Sequence, residues 1–335
     1  MKKILVIYTG GTIGMLPTDN GYAPRPGVFR SALVELPELR HAGLPEWDFM
    51  EMDPILDSSN IAVDEWNKIG SAIAENYARY DGFVVMHGTD TMAYTASALS
   101  FMLEDLAKPV VLTGSQIPLC ELRSDGMDNL VTSMLVAAGG VANEVSLCFG
   151  GRLLRGNRAI KCSADGMIAF DSPNCPPVAE AGISIRYSGT RPCPSGQFRL
   201  QRLKNVPIGV IKVFPGIQFE LFEQIMTESL RGIVLETFGA GNIPTGRGAL
   251  LPIIERAFRN GTVVAVCSQC PQGTVSLGTY ETSSALKRVG AVSGFDMTTE
   301  AAVAKLYYLF GKGLSRDEIK RMMERDLRGE LTPAS

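Results

Sequence analysis

Four side chains stand out for chemistry. They are Thr12 in Thr9-Gly10-Gly11-Thr12, Thr89 and Asp90 in His87-Gly88-Thr89-Asp90-Thr91, and Lys161 in a later basic turn. A hydroxyl is a weak nucleophile at its free pKa and needs a neighbouring base. Lysine serves when desolvation or another cation depresses its pKa, and a carboxylate such as Asp90 can orient it as the third member of a triad. Backbone N–H groups around Gly11, Gly88 and Gly114 can line an oxyanion hole. The set suits acyl transfer from an amide. Metal-ligand clusters and the dinucleotide G-x-G-x-x-G spacing are both absent, which argues against hydride transfer. The P-loop spacing and its Lys-Ser/Thr pair are missing as well.

Each of these residues needs an element to place it. Ile4–Tyr8 is a short apolar run with the signature of a buried strand, and it ends in the Thr9–Thr12 turn. Gly10 and Gly11 permit a sharp turn and close approach of backbone to a ligand. Phe83–Met86 reads as a second strand ending in His87–Thr91, followed by a helix from Met92 to Leu106. Val110–Leu112 reads as a third, running into Thr113-Gly114-Ser115-Gln116. Polar turns beyond strand ends occupy the usual ligand crevice of an open α/β sheet, and three of them converge here. Pro17–Pro26 reads as a surface loop with one phenol, Tyr22, and with Gly21 and Gly27 as pivots for closure over a site. Residues 28–45 suggest a short amphipathic helix stopped by prolines. Asp57-Ser58-Ser59-Asn60 is placed to cap a helix opening near Val63, and it can also contact a polar ligand. Asp125–Ala138 reads as a helix and Val145–Phe149 as a strand. The turn carrying Arg152, Arg155, Arg158 and Lys161 is open to two readings: a phosphate site, or fold anchors around one functional lysine.

Pro173–Gly196 is rich in Pro, Gly and Ser. The expected division is residues 1–185, a linker at 186–204 and a second α/β domain at 205–335. Strands are expected at Ile208–Val213, Gly232–Glu236 and Thr262–Cys267. Helices are expected at Phe219–Ser229, Gly248–Arg259, Thr298–Phe310 and Ser315–Arg325, with Leu327–Ser335 a short exposed tail.

Composition narrows the function classes. The chain has 335 residues, 32 basic and 35 acidic, for a net charge of -3. No Lys/Arg-rich block suggests a nucleic-acid partner. No apolar stretch reaches the roughly 18 residues of a membrane span, and the N-terminal run breaks too early for a signal peptide, so the expected location is the cytoplasm. Seven cysteines, an odd number, do not form a disulfide framework. Cys267 and Cys270 have redox or metal-pair spacing but no second pair, and His41 and His87 are too few for a zinc set. No metal or cofactor is expected.

Thr9-Gly10-Gly11-Thr12-Ile13 together with His87-Gly88-Thr89-Asp90-Thr91 resembles the paired signatures of the bacterial-type L-asparaginases, and the chain is most similar to the cytoplasmic type I group. Tyr94–Leu103, Thr113–Pro118, Arg123-Ser124-Asp125, Arg155-Gly156-Asn157-Arg158 and Arg328–Pro333 carry the same likeness. The resemblance implies a two-domain α/β fold, with a larger flavodoxin-like N-terminal domain and a smaller C-terminal α/β domain. It implies cofactor-free hydrolysis of L-asparagine to L-aspartate and ammonia, with weaker glutaminase activity, and self-association as a dimer or dimer of dimers. Family roles fall on Thr12 as nucleophile and on Tyr22 as its assistant and shield. Thr89, Asp90 and Lys161 form the second catalytic group. Gly11, Asp57, Ser58, Ser59, Gly88 and Ser115 fall at substrate-binding positions, and Asn242 comes from a second-domain segment completing the site across a dimer.

One departure concerns regulation. Some type I enzymes resemble this chain but respond to asparagine at a second site, using a threonine before the catalytic lysine, an arginine and a cysteine. The matching positions here are Ile160, Glu236 and Cys270. The lost hydroxyl and the reversed charge imply an absent or altered response. Two alternatives to the asparaginase reading stand. An amidotransferase-type ammonia-releasing subunit would carry an additional N-terminal domain, whereas this chain begins directly at its first strand. A non-catalytic amino-acid-binding protein is argued against by intact Thr12, Thr89, Asp90 and Lys161. The lysophospholipase activity of longer relatives would need a lipid-sized apolar motif, and none is visible.

Overall fold

The computed structural model describes residues 2–225, 227–244, 250–279 and 281–333. It comprises two compact units, Met1–Leu200 and Gln201–Ser335. The stretch 186–204, expected as a linker, holds part of one strand and all of another.

The first unit begins with β1 (Lys3–Tyr8), the hairpin strands β2 (Met15–Thr18) and β3 (Gly21–Pro24), α1 (Phe29–Glu35) and β4 (Glu46–Glu51). It continues through α2 (Val63–Asn76), β5 (Gly82–Met86), α3 (Met92–Met102), β6 (Leu103–Glu104), β7 (Val110–Thr113), α4 (Gly126–Gly139), β8 (Val145–Phe149) and β9 (Arg152–Arg155). Short strands close it: β10 (Ile160–Lys161), β11 (Phe170–Asp171), β12 (Ala179–Ala181), β13 (Ile185–Tyr187) and β14 (Arg199–Leu200). The main sheet has the order β13-β12-β9-β8-β7-β5-β1-β4. Its β4, β1, β5, β7 and β8 are parallel. Parallel strands covered on both faces need continuous apolar runs, and every residue of β5 and all but the first of β1 are buried.

The chain leaves β1 for β4 on one side and returns to place β5 on the other. The strand order therefore reverses between β1 and β5, and the turns after these two strands flank the crevice that such a reversal opens. The core behind it joins Ile4, Val6, Tyr8, Val84, Met86 and Val111 to Leu130 and Met134 of α4. Every residue of α3 except Tyr94 is buried, so its small side chains pack against protein on all sides rather than along one stripe.

Several sequence expectations change. Residues 17–26 are not an irregular loop: they contribute to the hairpin β2–β3, in which Pro17 pairs with Tyr22. The helix in 28–45 is confined to α1. α3 stops at Met102 because Leu103 and Glu104 pair with β14. Asp57–Asn60 does not cap α2. Ser58–Asn60 is its own 3₁₀ turn, with the Asp57 carboxylate accepting from Ser59 N–H at 2.9 Å. α2 is instead closed by Glu65, whose carboxylate accepts from Ala62 N–H at 3.1 Å.

The second unit contains β15 (Ile208–Lys212), β16 (Gly232–Thr237), α5 (Leu250–Arg259), β17 (Val263–Ser268), α6 (Glu281–Arg288), β18 (Val292–Ser293), α7 (Thr299–Gly311) and α8 (Arg316–Met323). Its strands form a parallel sheet in sequential order. Ser315 and Glu318 form a capping box that starts α8. The helix expected at Phe219–Ser229 is a 3₁₀ segment, Phe219–Ile225, and Met226 lies outside the described residues. The expected start of α5 at Gly248 also falls outside them. The tail from Leu327 is not exposed as far as it is described: Glu330 is fully buried and Leu331 nearly so. Lys305 of α7 explains this, because its ammonium meets Glu330 Oε1 at 2.6 Å with both side chains inaccessible to solvent. Among the described residues, no helix is long and apolar enough to cross a membrane.

Candidate active site

The turns after β1 and β5 press directly on each other. Gly11 has φ +90°, and a Cβ there would collide with Gly88 N and Cα. A Cβ on Gly88 would in turn lie 2.5 Å from Ser58 Oγ. Glycine at both positions allows the two backbones to touch and lets the Ser58 side chain lie against Gly88. Thr91 Oγ1 ties the Ser58–Asn60 turn in by donating to Ser58 O at 2.7 Å. Thr12 opens a one-turn 3₁₀ segment, Thr12–Gly14, at the edge of this contact. Among the described residues, nothing hydrogen-bonds the Thr12 hydroxyl.

Lys161 reaches the same cluster from β10, which is pinned by pairing with Phe170 of β11. Its ammonium donates to Thr89 Oγ1 at 2.9 Å and to Asp90 Oδ1 at 2.6 Å. Thr89 is buried, whereas the Asp90 side chain is 65% exposed, so the cluster opens toward solvent on the Asp90 side. Thr89 donates its own proton to Gln116 Oε1 at 3.4 Å, and Gln116 Nε2 donates to Gly166 O at 3.1 Å. The Thr89 hydroxyl thus accepts from the lysine and donates to the glutamine, which fixes its direction.

The backbone beneath Thr89 is held by a buried histidine. The Gly88 carbonyl can only accept, so His87 Nδ1 carries the proton in their 2.7 Å bond. Nε2 is then the acceptor for Thr95 Oγ1–H at 2.8 Å, and Trp66 Nε1–H donates to Thr95 Oγ1 at 2.9 Å. Burial, only partly opposed by the Gly88 bond, pushes His87 down to about 4. The imidazole is a neutral brace.

The remaining sequence-predicted residues are placed as follows. Ser59 Oγ donates to Asp57 Oδ1 at 2.8 Å, beside the buried Ser58. Ser115 is buried and donates to Ile117 O at 2.6 Å. Tyr22 lies on β3, half exposed, and its phenol donates to Glu121 Oε1 at 2.8 Å rather than to any group of the Thr12 turn. In the second unit, Asn242 closes the turn after β16, its N–H donating to Phe238 O at 2.8 Å. Ile160 is half-buried and pairs with Asp171. Glu236 Oε1 accepts from Thr299 Oγ1 at 2.6 Å, and Cys270 is exposed. Among the described residues, no group of three His, Cys, Asp or Glu side chains gathers as a metal donor set.

Sequence reasoning missed four supports. Besides Gln116, they are Asp125, Trp66 and Thr95. Asp125 precedes α4 without capping it, and its carboxylate instead accepts from Gln116 N–H at 3.0 Å and Ile117 N–H at 3.1 Å. Gln116 stands in the third polar turn, Asp125 and Thr95 fall within segments that carry the family likeness, and Trp66 gives no local signal.

A family model described as "Asparaginase, N-terminal" matches residues 3–192, and one described as "Glutaminase/Asparaginase C-terminal domain" matches residues 207–323. The chain is 46% identical over 334 residues to "L-asparaginase 1" of Escherichia coli strain K12, covering 99% of this chain and 98% of that protein. It is similar to the crystal structure of L-asparaginase I from Vibrio cholerae, with a TM-score of 0.91, 47% identity and 99% of both chains covered. The thermostable L-asparaginase from Thermococcus kodakarensis has a TM-score of 0.90 at 33% identity, covering 99% of this chain and all of that one.

Proposed function

The chain belongs to the asparaginase family, and on that footing we propose that it hydrolyses L-asparagine to L-aspartate and ammonia through an acyl-enzyme on Thr12. The observation that carries the reading is the Lys161 ammonium held between Thr89 Oγ1 and Asp90 Oδ1, next to the Gly11–Gly88 contact from which Thr12 projects.

In the first step the Thr12 oxygen bonds to the side-chain amide carbon, its proton passes to the leaving nitrogen, and the C–N bond breaks to release ammonia. In the second step water adds to the ester, the C–O bond breaks, and the hydroxyl of Thr12 is restored. Thr89, Lys161 and Asp90 handle the protons, with Asp90 orienting the lysine. Lys161 must first release a proton in order to accept one, and Thr89 is the hydroxyl in direct contact with it. Backbone N–H groups at Gly11 and Gly88 face the developing oxyanion.

A zwitterionic substrate needs acceptors for its ammonium and donors for its carboxylate, because buried unpaired charges are costly. Asp57 and Asp90 supply the first, and Ser58 and Ser59 the second. Ser115 stands near the side-chain amide. Glutamine differs by one methylene, worth about 1–3 kcal/mol in a fitted pocket, so it is turned over more weakly.

The finer readings rest on narrower support. The N-terminal unit is flavodoxin-like, a reading supported by its parallel strand order β4-β1-β5-β7-β8. The division into domains at 1–185 and 205–335 is supported by the split of the chain between Leu200 and Gln201, with the strands β13 and β14 of the intervening stretch going with the first unit. The protein works in the cytoplasm, in keeping with seven cysteines that are all free thiols. It self-associates as a dimer or dimer of dimers, with Asn242 offered to a neighbouring copy. Acid-quenching the enzyme during turnover of asparagine and mapping the peptides by mass spectrometry tests the chemistry. An aspartyl ester is expected on the peptide containing Thr12, and an ester on Thr89 instead would reverse the assignment.

A further inference from the structure

Tyr22 is held by a partner outside the cluster just described. Its phenol donates to Glu121 Oε1 at 2.8 Å, joining β3 to the loop between β7 and α4. The carboxylate bond raises the phenol above its usual range, so Tyr22 stays protonated and remains a donor. The β2–β3 hairpin closes through its own ladder and through Thr18 Oγ1, which donates to Gly21 O at 2.5 Å. Among the described residues, its one side-chain bond to the rest of the unit besides Tyr22–Glu121 is a weak contact from Cys120 Sγ to Met15 O at 3.6 Å.

The loop that carries Glu121 is firmly placed. Asp125 holds its base through Gln116 N–H and Ile117 N–H, and Leu119 N–H donates to Ile13 O at 3.1 Å, in the turn that Thr12 opens. Glu121 is therefore registered to the nucleophile's turn, and the tip of the hairpin is registered to Glu121. Gly21 and Gly27 have φ +106° and +74° with open space where a Cβ would lie; Gly21 sits in the hairpin turn, and Gly27 N–H donates to Glu51 Oε1 at 2.8 Å.

We propose that Glu121 is a positioning residue for the reaction: it latches the Tyr22 hairpin onto the loop docked against Thr12. The proposal rests on the reading of Tyr22 as the residue that assists and shields Thr12. With its proton committed to Glu121, the phenol has only its lone pairs left to offer a neighbour. Tyr22 then meets Thr12 as a hydrogen-bond acceptor, and a substrate-bound state that needs Tyr22 as donor must break the latch first.

The test compares Glu121→Ala, Glu121→Gln, Tyr22→Phe and the double variant Tyr22→Phe/Glu121→Ala. Hydrogen exchange of residues 15–24 reads the latch without reference to catalysis. Exchange is expected to speed up alike in Glu121→Ala and Tyr22→Phe, while Glu121→Gln, which keeps an acceptor oxygen, stays near wild type. Unchanged exchange in Glu121→Ala overturns the latch even if the enzyme proves not to act on asparagine. In the ammonia assay, Glu121→Ala is expected to lower kcat/KM by about tenfold, Glu121→Gln to restore most of it, and the double variant to be no worse than Tyr22→Phe. Multiplicative losses in the double variant would show that Glu121 acts independently of Tyr22, and would also overturn the proposal.

Discussion

Acidification provides a sharp test of the scaffold under Thr89. In the folded chain His87 is fully buried, carries its proton on Nδ1 for Gly88 O, and is held down to about 4, while an unfolded chain leaves it near 6.5. The folded state therefore refuses a proton that the unfolded state accepts below pH 6.5. The contribution is fully present above that pH and is lost as pH falls toward 4. Linkage puts this residue's share of the loss at about 2 kcal/mol by pH 5 and about 3 kcal/mol by pH 4. The chain has two histidines, and the other, His41, is exposed, so histidine-labelled NMR resolves the question directly. The buried ring should show the Nδ1–H tautomer and stay neutral through pH 5. Urea midpoints of wild type and His87→Gln should converge as the pH is lowered, since the variant lacks the titrating group. Protonation of the buried ring between pH 6 and 7, an Nε2–H tautomer, or parallel stability curves would refute the reasoning.

Three further outcomes follow from particular contacts. Glu330→Gln or Lys305→Met should destabilise the second unit by about 3–5 kcal/mol in urea unfolding, because each strands half of a fully buried ion pair; the double replacement Lys305→Met/Glu330→Leu should not recover the loss, because Lys305 also donates to Met323 O and Arg325 O and Glu330 also accepts from Leu327 and Arg328 N–H. Gly11→Ala drives a Cβ into Gly88 at a positive φ, and a displacement of even about 1 Å at this site should cost about 100-fold in kcat/KM, measured by ammonia release from a variant whose circular dichroism is unchanged. The resemblance to type I enzymes sets Ile160 and Glu236 at effector positions, where the family pattern has a threonine and an arginine, so asparagine saturation of the assembled enzyme is expected to be hyperbolic; a sigmoidal curve contradicts this.

The parts of the site that sequence made legible are those where local chemistry and global position coincide. Gly11-Thr12, Gly88-Thr89-Asp90 and Gly114-Ser115 each follow an apolar strand, and although one such turn can be merely structural, three of them at neighbouring strand ends point to a ligand crevice. Residues 17–26 looked irregular because Pro17, Pro24 and Pro26 interrupt the pattern, and a small exposed hairpin needs no alternation of apolar side chains to reveal it. The buried tail was hidden for the opposite reason. Arg328-Gly329-Glu330 reads as polar surface until Lys305, far back on α7, supplies the charge that takes Glu330 inside. Asp125 and the Trp66–Thr95–His87 chain are equally long-range, since their partners are set by packing rather than by spacing. The Lys161 basic turn was left between two readings, and it is the 2.9 Å and 2.6 Å contacts to Thr89 and Asp90 that favour the functional lysine.

The central claim is that this chain hydrolyses asparagine with Thr12 as nucleophile. A coupled ammonia assay over a range of asparagine and glutamine concentrations, run on wild type and Thr12→Ala, tests it most directly. Wild type should release ammonia and aspartate in equal amounts, faster from asparagine than from glutamine. Thr12→Ala should fall by at least about 1,000-fold while keeping its fold, as removal of a nucleophile does elsewhere. No ammonia from either substrate with wild type, or a Thr12→Ala rate close to wild type, would contradict the account.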